Sequence, residues 1–160
     1  MEKYIHALVM GDTHGNKSAI DAVLRKCGEV EYIFHLGDNC SDARYIDMNS
    51  RAKLVFVKGN CDTGDAVDTL DEIVLMGQKI LVTHGHLFQV KYSYDRLLYK
   101  AQESEAAAVL FGHTHKQYCE YCDGIWMVNP GSAGASSDGR ISYALLLIGK
   151  MGVIPKLKCL

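Results

Sequence analysis

Five short apolar runs in this sequence each lead into a side chain that can bind a metal ion, usually next to a glycine. These polar residues recur at steps of 26, 22, 24 and 29 positions. With two further imidazoles close behind, the candidate ligands are Asp12, His14, Asp38, Asn60, His84, His113 and His115. All of them offer oxygen or nitrogen, and none offers a thiolate. Such a set exceeds the needs of one tetrahedral site but fits two ions of higher coordination number if a carboxylate, for which Asp38 is a candidate, bridges them.

The apolar runs are the elements that must position these side chains. They are rich in Val, Ile, Leu and Phe, which is typical of strands buried on both faces. The steps between the polar residues match the length of a strand, its crossover and the start of the next strand. Since ligands of open α/β sheets bind beyond the carboxyl ends of the strands, we expect the seven side chains to meet at one edge.

The rest of the chain predicts helices and hairpins around these strands. Apolar residues recur at helical spacing after Asn16, which can cap a helix, and after Ser93. The last third is strand-like and is interrupted at Asp123-Gly124 and Gly149–Gly152, which predicts antiparallel hairpins with Pro155 on an edge strand. The expected fold is α/β: a β-sandwich flanked by α-helices, because the central strands and the hairpins must cover each other.

Composition and charge narrow the function classes. The chain has 160 residues, of which 48% are hydrophobic and 22% charged, as in an ordinary globular domain, and we expect one domain over residues 1–160. A net charge of −2 argues against a basic protein that binds long nucleic acids by phosphate attraction. No apolar stretch is long enough to span a bilayer or to form a signal-peptide core, so we expect no membrane association and a cytoplasmic location.

Cysteines and acidic residues are interpreted as structural. The six cysteines are scattered, which favours reduced thiols over a disulfide framework. Cys119 and Cys122 would point to opposite faces of a strand, which argues against a zinc or redox pair. We interpret the acidic run after Asn60 as a solvated loop leading into the next strand. Its members are Asp62, Asp65, Asp68, Asp71 and Glu72.

Five blocks resemble, in order and spacing, those of the calcineurin-like metallophosphoesterases. These blocks are Asp12-Thr13-His14, Gly37-Asp38, Gly59-Asn60, His84-Gly85 and Gly112-His113-Thr114-His115. The short chain and its Gly59-Asn60-Cys61-Asp62 form are similar to the small single-domain phosphodiesterases of the YfcE type, as is Asn129–Ser132. The resemblance covers most of the chain and implies a metallophosphoesterase-type β-sandwich of two mixed sheets. It also implies a metal-dependent phosphoric diester hydrolase that acts on small phosphodiesters.

The resemblance assigns a role to each candidate ligand. It implies that Asp12, His14 and His115 hold one divalent ion, and that Asn60, His84 and His113 hold a second. Asp38 would be catalytic, bridging both ions together with a hydroxide that attacks phosphorus in line with the leaving alkoxide. Manganese is the first expectation, and iron, zinc, nickel and cobalt stay open because oxygen and nitrogen donors suit all of them.

Substrate contacts and proton transfer involve further residues. The backbone N–H groups of Gly15-Asn16 are expected to bind phosphate, and the amides of Asn39 and Asn60 to contact substrate. Larger family members carry a histidine directly after the asparagine ligand, where it protonates the leaving group. This sequence has Cys61 there, and His86 is a candidate substitute. Because a neutral thiol is a weak proton donor, we predict faster turnover of activated aryl or cyclic diesters than of alkyl phosphates.

Three alternative functions stay open. The retromer scaffold subunit resembles this family and works through its surface, so a metal-binding interaction scaffold is one alternative. A nuclease and a phosphomonoesterase of the same superfamily are the others. Discrimination between monoesters and diesters depends on the cations of the pocket wall, for which the candidates are Lys17, Arg44, Lys58 and Arg140. A homo-oligomer also stays open.

Overall fold

A computed structural model describes residues 2–64, 66–134 and 136–160. Within these residues, ten strands form two five-stranded sheets. The first sheet has the order β10-β9-β1-β2-β3, with β1, β2 and β3 parallel, β9 antiparallel to β1, and β10 antiparallel to β9. Its strands are β1 (Ile5–Met10), β2 (Tyr32–His35), β3 (Lys53–Phe56), β9 (Ser142–Gly149) and β10 (Gly152–Cys159).

The second sheet is also mixed. Its strands are β4 (Leu70–Leu75), β5 (Gln78–Thr83), β6 (Ala108–Leu110), β7 (Gln117–Cys122) and β8 (Ile125–Pro130). They lie in the order β4-β5-β6-β8-β7, with β5, β6 and β8 parallel and an antiparallel strand at each edge. The predicted class, a β-sandwich of two mixed sheets with flanking helices, is confirmed.

The main core lies between the two sheets. Phe34 and Leu146 of the first sheet pack in one buried cluster with Ile80, Val82 and Leu110 of the second. Each sheet also buries its outer face under helices, through Ile20 and Ile46 on one side and Leu97 on the other. The order of layers is therefore helix, sheet, sheet, helix, as expected from elements that each bury one apolar face.

Two of the three α-helices in the described residues follow the predicted pattern. Helix α1 (Lys17–Cys27) begins after Asn16, whose side chain accepts a hydrogen bond from the Ala19 N–H, and α3 is Asp95–Glu103. Helix α2 (Cys40–Asn49) was missed because its buried face contains only Ala43, Ile46 and the polar Asp42. Each helix of the described ranges is too short or too polar to cross a lipid bilayer.

The hairpins depart from the expectation in one respect. They are antiparallel, and Pro155 lies on the edge strand β10, as predicted. They extend the two sheets, however, instead of covering the parallel strands, which are themselves divided between the sheets. Cys119 packs against the central core and Cys122 against the α3 side, so the two thiols do point to opposite faces.

The acidic run is the clearest error of interpretation. Asp71 and Glu72 do not lie in a loop but in β4, whose outward positions are exposed. Asp62 is hydrogen-bonded to several backbone groups near the candidate ligands and is not a merely solvated residue. Asp65 lies outside the described residues.

Candidate metal centre

The loops after β1, β2, β3, β5 and β6 meet at one end of the sandwich and bring the predicted ligands together. The nearest donor atoms of Asp12, His14, Asp38 and His115 all lie within 4.8 Å of one another. Those of Asp38, His84 and His113 form a second group under the same limit. The structure thus sorts these six residues into two groups that share the Asp38 carboxylate, and the site lies where both sheets end.

The second group is built around His84, which is completely buried. Its Nδ1 lies 2.8 Å from the carbonyl oxygen of Leu36, and because a carbonyl only accepts, Nδ1 carries the hydrogen. The other ring nitrogen, Nε2, lies 3.0 Å from Asn60 Oδ1 and 3.4 Å from Asp38 Oδ2. His113 Nδ1 lies 3.2 Å away. Acceptors converging in this way fit a bound cation.

The first group contains a buried carboxylate with an unsatisfied oxygen. Asp12 Oδ2 accepts a hydrogen bond of 3.0 Å from the His113 N–H, but Oδ1 makes no hydrogen bond within the described part of the chain. His115 Nε2 is 3.3 Å from this Oδ1. Burial works to raise the pKa of Asp12, but His115 and His84 outweigh it and hold the pKa below its usual value of 3.8. An ionised, buried oxygen that lacks a donor is a second feature that fits a cation.

The backbone at these ligands is unusual. Five of them have φ between 46° and 70°, namely Asp12, His14, Asp38, His113 and His115. This is the left-handed region of the backbone, which residues with a Cβ rarely adopt. Strain of this kind concentrates at functional sites. Glycines make room beside the carboxylates, since a Cβ at Gly59 would lie 2.1 Å from Asp38 Oδ1 and one at Gly112 2.8 Å from Asp12 Oδ2.

Three polar residues, Thr13, His35 and Asp42, form a hydrogen-bonded cluster behind the first group that the sequence did not predict. Buried Asp42 accepts hydrogen bonds from Thr13 Oγ1 at 2.6 Å and from the Gly15 N–H at 2.8 Å. Buried His35 lies 2.9 Å from the same Thr13 hydroxyl, and its Nδ1 accepts from the Gly37 N–H. Burial lowers the pKa of His35 to about 4, so the ring is neutral at pH 7. These contacts join residues 22 to 29 positions apart, which no local sequence pattern displays.

The prediction that Gly15 and Asn16 donate N–H groups to phosphate is wrong for this structure. The Gly15 N–H already donates to Asp42, and the Asn16 N–H donates to the Thr13 carbonyl at 3.0 Å. The side chain of Asn16 is also engaged, as the cap of α1. The N–H groups of this turn hold the ligand-bearing loop in place instead.

Asn39 and Asn60, whose amides are predicted to contact substrate, lie beside the two groups. A groove of about 490 Å³ runs past the first group and is lined by His14, Asn39, Cys40, Ser41, Cys61, Asp62 and Thr63. The Asn39 side chain accepts a hydrogen bond from Ser41. Asn60 is exposed and presents its Oδ1 to His84.

The two candidate proton donors differ in environment. Cys61 is exposed, its N–H donates to Asp38 Oδ1 at 3.0 Å, and desolvation followed by the Asp38 charge raises the pKa of its thiol, which stays neutral. The His86 ring is half-buried, 5.3 Å from the His84 ring centroid, with Nδ1 unbonded in the described ranges. Burial and His84 lower its pKa, so it too is neutral near pH 7.

The four cationic side chains that are candidates for the pocket wall lie in different environments. Lys17 lies over the ring of Tyr45, and the Lys58 ammonium donates to the Gly64 carbonyl oxygen. Arg44 is exposed on α2. Arg140 lines a second groove of about 310 Å³ together with the candidate ligand His115 and with Lys116, a cation that the sequence analysis did not single out.

Comparison with known proteins agrees with this geometry. Residues 5–151 match the model of the calcineurin-like phosphoesterase superfamily domain. The chain is 35% identical over 148 residues to the probable metallophosphoesterase YsnB of Bacillus subtilis, covering 90% of this chain and 85% of that protein. It is 30% identical over 105 residues to the phosphodiesterase YfcE of Escherichia coli, covering 59% of this chain and 52% of YfcE.

Two further similarities are informative. The chain is 36% identical over 135 residues to vacuolar protein sorting-associated protein 29 of Schizosaccharomyces pombe, covering 79% of this chain and 72% of that protein. Among solved structures, a conserved Streptococcus pneumoniae protein, itself a predicted phosphoesterase, matches over 100% of both chains with a TM-score of 0.77 and 27% identity. The resemblance predicted from the five blocks is thus confirmed, and the chain belongs to the calcineurin-like phosphoesterase superfamily.

Proposed function

We propose that residues 1–160 form one domain that acts as a dinuclear-metal-dependent phosphodiesterase on small phosphodiesters. The observation that carries this proposal is the Asp38 carboxylate, which is common to two separate groups of ligand atoms. Two dications about 4 Å apart need a negative ligand between them, and a carboxylate shared by two donor groups supplies it. The similarity to the phosphodiesterase YfcE supports the same substrate class.

The residues present fit two divalent ions. Asp12, His14 and His115 would hold one ion, Asn60, His84 and His113 the other, and Asp38 both. When bound, the ions would lower the pKa of a water molecule and neutralise charge on the phosphoryl oxygens. The oxygen and nitrogen donors suit manganese, our first expectation, as well as iron, zinc, nickel and cobalt.

The chain's own residues then determine which leaving groups are tolerated. The two candidate donors nearest the ligands, Cys61 and His86, are both neutral near pH 7. Neither is a strong acid, so protonation of a poor leaving group is not accelerated by a positioned cationic donor. Activated aryl or cyclic diesters should therefore be cleaved faster than alkyl phosphates.

The experiment that tests this function compares an aryl phosphodiester with an aryl phosphomonoester. The protein is stripped with a chelator and titrated with Mn²⁺, and bound metal is measured in parallel. We expect diester turnover to rise until about two ions are bound per chain. Faster cleavage of the monoester would favour a phosphomonoesterase.

On acidification, metal occupancy and diester turnover should fall together because the histidine ligands bind a metal ion only when they are neutral. Full occupancy with lost activity at pH 5 would contradict that account.

A metal-binding interaction scaffold is the second candidate, favoured by the similarity to vacuolar protein sorting-associated protein 29. Two bound ions without cleavage of either ester would support it.

The net charge of −2 supports a small substrate over long nucleic acids. The six free cysteines are compatible with a cytoplasmic location, which stays a prediction, as does the oligomeric state.

A further inference from the structure

We propose that Asp62 is a positioning residue that fixes Asp38 and Asn60 relative to each other, and thereby sets the affinity of the ligand group that contains Asn60. This rests on the proposed function insofar as those residues hold a metal ion. Asp62 acts on the backbone of the two loops that carry these ligands, and it also lines the groove beside His14. It differs from Asp38 in making no contribution to either group of converging donor atoms.

The Asp62 carboxylate accepts hydrogen bonds from four backbone N–H groups. Oδ2 accepts from Asp38 at 3.0 Å and from Gly59 at 2.8 Å, while Oδ1 accepts from Asn39 at 2.9 Å and from Cys40 at 2.7 Å. Two of these groups belong to the loop after β2, one to Cys40 at the start of α2, and one to the loop after β3. A single carboxylate thus ties the loop of the shared ligand to the loop of Asn60.

Two features make this connection tight. The contact is reciprocal, because the Cys61 N–H next to Asp62 donates to Asp38 Oδ1 at 3.0 Å. The two loops also touch, since a Cβ at Gly37 would lie 2.5 Å from the Gly59 nitrogen. A shift of either loop by a few tenths of an ångström would therefore be transmitted to the other.

Asp62 also replaces a missing helix cap. Asn39 precedes α2 with φ of 92°, and its side chain makes no capping hydrogen bond. The unpaired N–H groups at the start of a helix need acceptors, and Asp62 supplies one from another loop. The start of α2, which directly follows the Asp38 loop, is thereby held to the same carboxylate.

The other ligand group has a separate anchor. Asp42 holds the loop of Asp12 and His14 through Thr13 Oγ1 and the Gly15 N–H. The two groups therefore have different carboxylate anchors, Asp62 for the loops of Asp38 and Asn60 and Asp42 for the loop of Asp12 and His14, although both anchors adjoin the first turn of α2. General destabilisation would weaken both groups alike, whereas loss of one anchor should weaken mainly the group that it supports.

The test uses Asp62→Asn and Asp42→Asn in the full chain, with Asp47→Asn on the exposed face of α2 as the matched control. An asparagine keeps the size of Asp62 but turns an amide NH₂ toward N–H donors. Histidine ring nitrogens are labelled with ¹⁵N, and Zn²⁺ is titrated while the signals of His84 and His113 are compared with those of His14 and His115. Hydrogen exchange of the Asp38, Asn39, Cys40 and Gly59 amides is measured in the metal-free chain.

We expect Asp62→Asn to lose protection at the four amides and to weaken Zn²⁺ binding by about 10- to 100-fold at His84 and His113, with a smaller loss at His14 and His115. Asp42→Asn should show the reverse order, and Asp47→Asn no change. Unchanged exchange at the four amides, or equal losses at both groups in both variants, would overturn the proposal. If Asp62→Asn does not fold, Asp62→Glu is measured in its place.

Failure of the proposed function gives a different result. If the wild-type chain binds Zn²⁺ but cleaves neither ester, the enzymatic proposal fails while the comparison of the two anchors stands. If it binds no Zn²⁺ at all, the role of Asp62 in metal affinity is overturned together with the metal centre.

Discussion

The two ligand groups that share Asp38 are held in different ways. His84 is completely buried, its ring is oriented by the hydrogen bond from Nδ1 to the Leu36 carbonyl oxygen, and Asn60 Oδ1 and His113 Nδ1 converge on its Nε2. The second group is therefore organised by burial and by the contacts of His84 itself. In the first group, the side chains of His14 and His115 are 30% and 31% exposed, and order comes from residues behind the loop. Different physical terms thus support the two halves of one site.

This difference in burial favours metal affinity at the second group and access for solvent and substrate at the first group. A ligand ring whose orientation is fixed before binding loses little conformational freedom when an ion binds, which favours tight binding at the second group. The more exposed histidines of the first group leave that side open to solvent and to substrate.

The largest effect is expected from Asp38→Asn, which removes the feature common to both halves. Loss of the shared negative charge should weaken both groups and lower diester turnover by more than about 10³-fold, since a single electrostatic contact in an active site contributes about 10²- to 10³-fold. Metal content and steady-state kinetics measure the outcome. Retention of two ions with near-normal turnover would show that Asp38 does not bridge.

The second prediction concerns the buried support of the first group. His35 has a pKa of about 4 when folded and about 6.5 when unfolded, so between these values the unfolded chain binds more protons. The free energy of unfolding should therefore fall as the pH decreases from about 6.5 to 4, by up to about 3 kcal/mol from this residue.

Urea denaturation of the metal-free chain at several pH values measures this effect. In His35→Gln, stability is lower at neutral pH because the ring's contacts are lost, but its decrease toward pH 4 should be shallower than in the wild type. Parallel pH dependences in the two proteins would show that His35 is not a buried neutral ring.

The third prediction contrasts a buried ligand with an exposed one. His84→Ala and His14→Ala should each weaken metal binding at their own group, but only His84→Ala should also destabilise the metal-free fold, by about 1–3 kcal/mol, because the Leu36 carbonyl loses its donor. His14→Ala should change stability by less than about 0.5 kcal/mol. Exposed His6→Ala is the control, and thermal unfolding without metal is the measurement. Equal destabilisation by both ligand variants would remove the contrast.

The smallest effect is expected from Cys61→Ala. Since the thiol is exposed and neutral, its removal should change turnover of an activated aryl diester by about twofold or less. Kinetics on aryl and alkyl diesters measure this. A selective loss on the alkyl diester would instead identify Cys61 as a proton donor.

Much of the site could be predicted because its ligands follow a repeated local pattern. Apolar runs ending in Asp12, Asp38 or His84 identify strand ends, and parallel strands bring such ends together. Helix α1 was equally clear from its apolar spacing and its Asn16 cap. In each case the information lies within a few consecutive residues.

The missed features depend on contacts between distant residues. Whether two parallel strands lie in one sheet or in two is decided by packing across the core, which their apolar composition does not encode. Asp62 was misinterpreted as a solvated residue and Asp42 was not singled out, because most of their partners are backbone N–H groups, which every residue except proline carries. The Gly15 and Asn16 N–H groups were assigned to phosphate for the same reason, since their internal acceptors are not visible in the sequence.

Anomalous diffraction from crystals of the Mn²⁺-loaded chain would show whether Asp38 bridges two ions. We expect two peaks about 3.5–4 Å apart, with the Asp38 carboxylate between them, one beside His14 and His115 and the other beside His84 and His113. A single peak, or two peaks that do not share Asp38, would contradict this expectation.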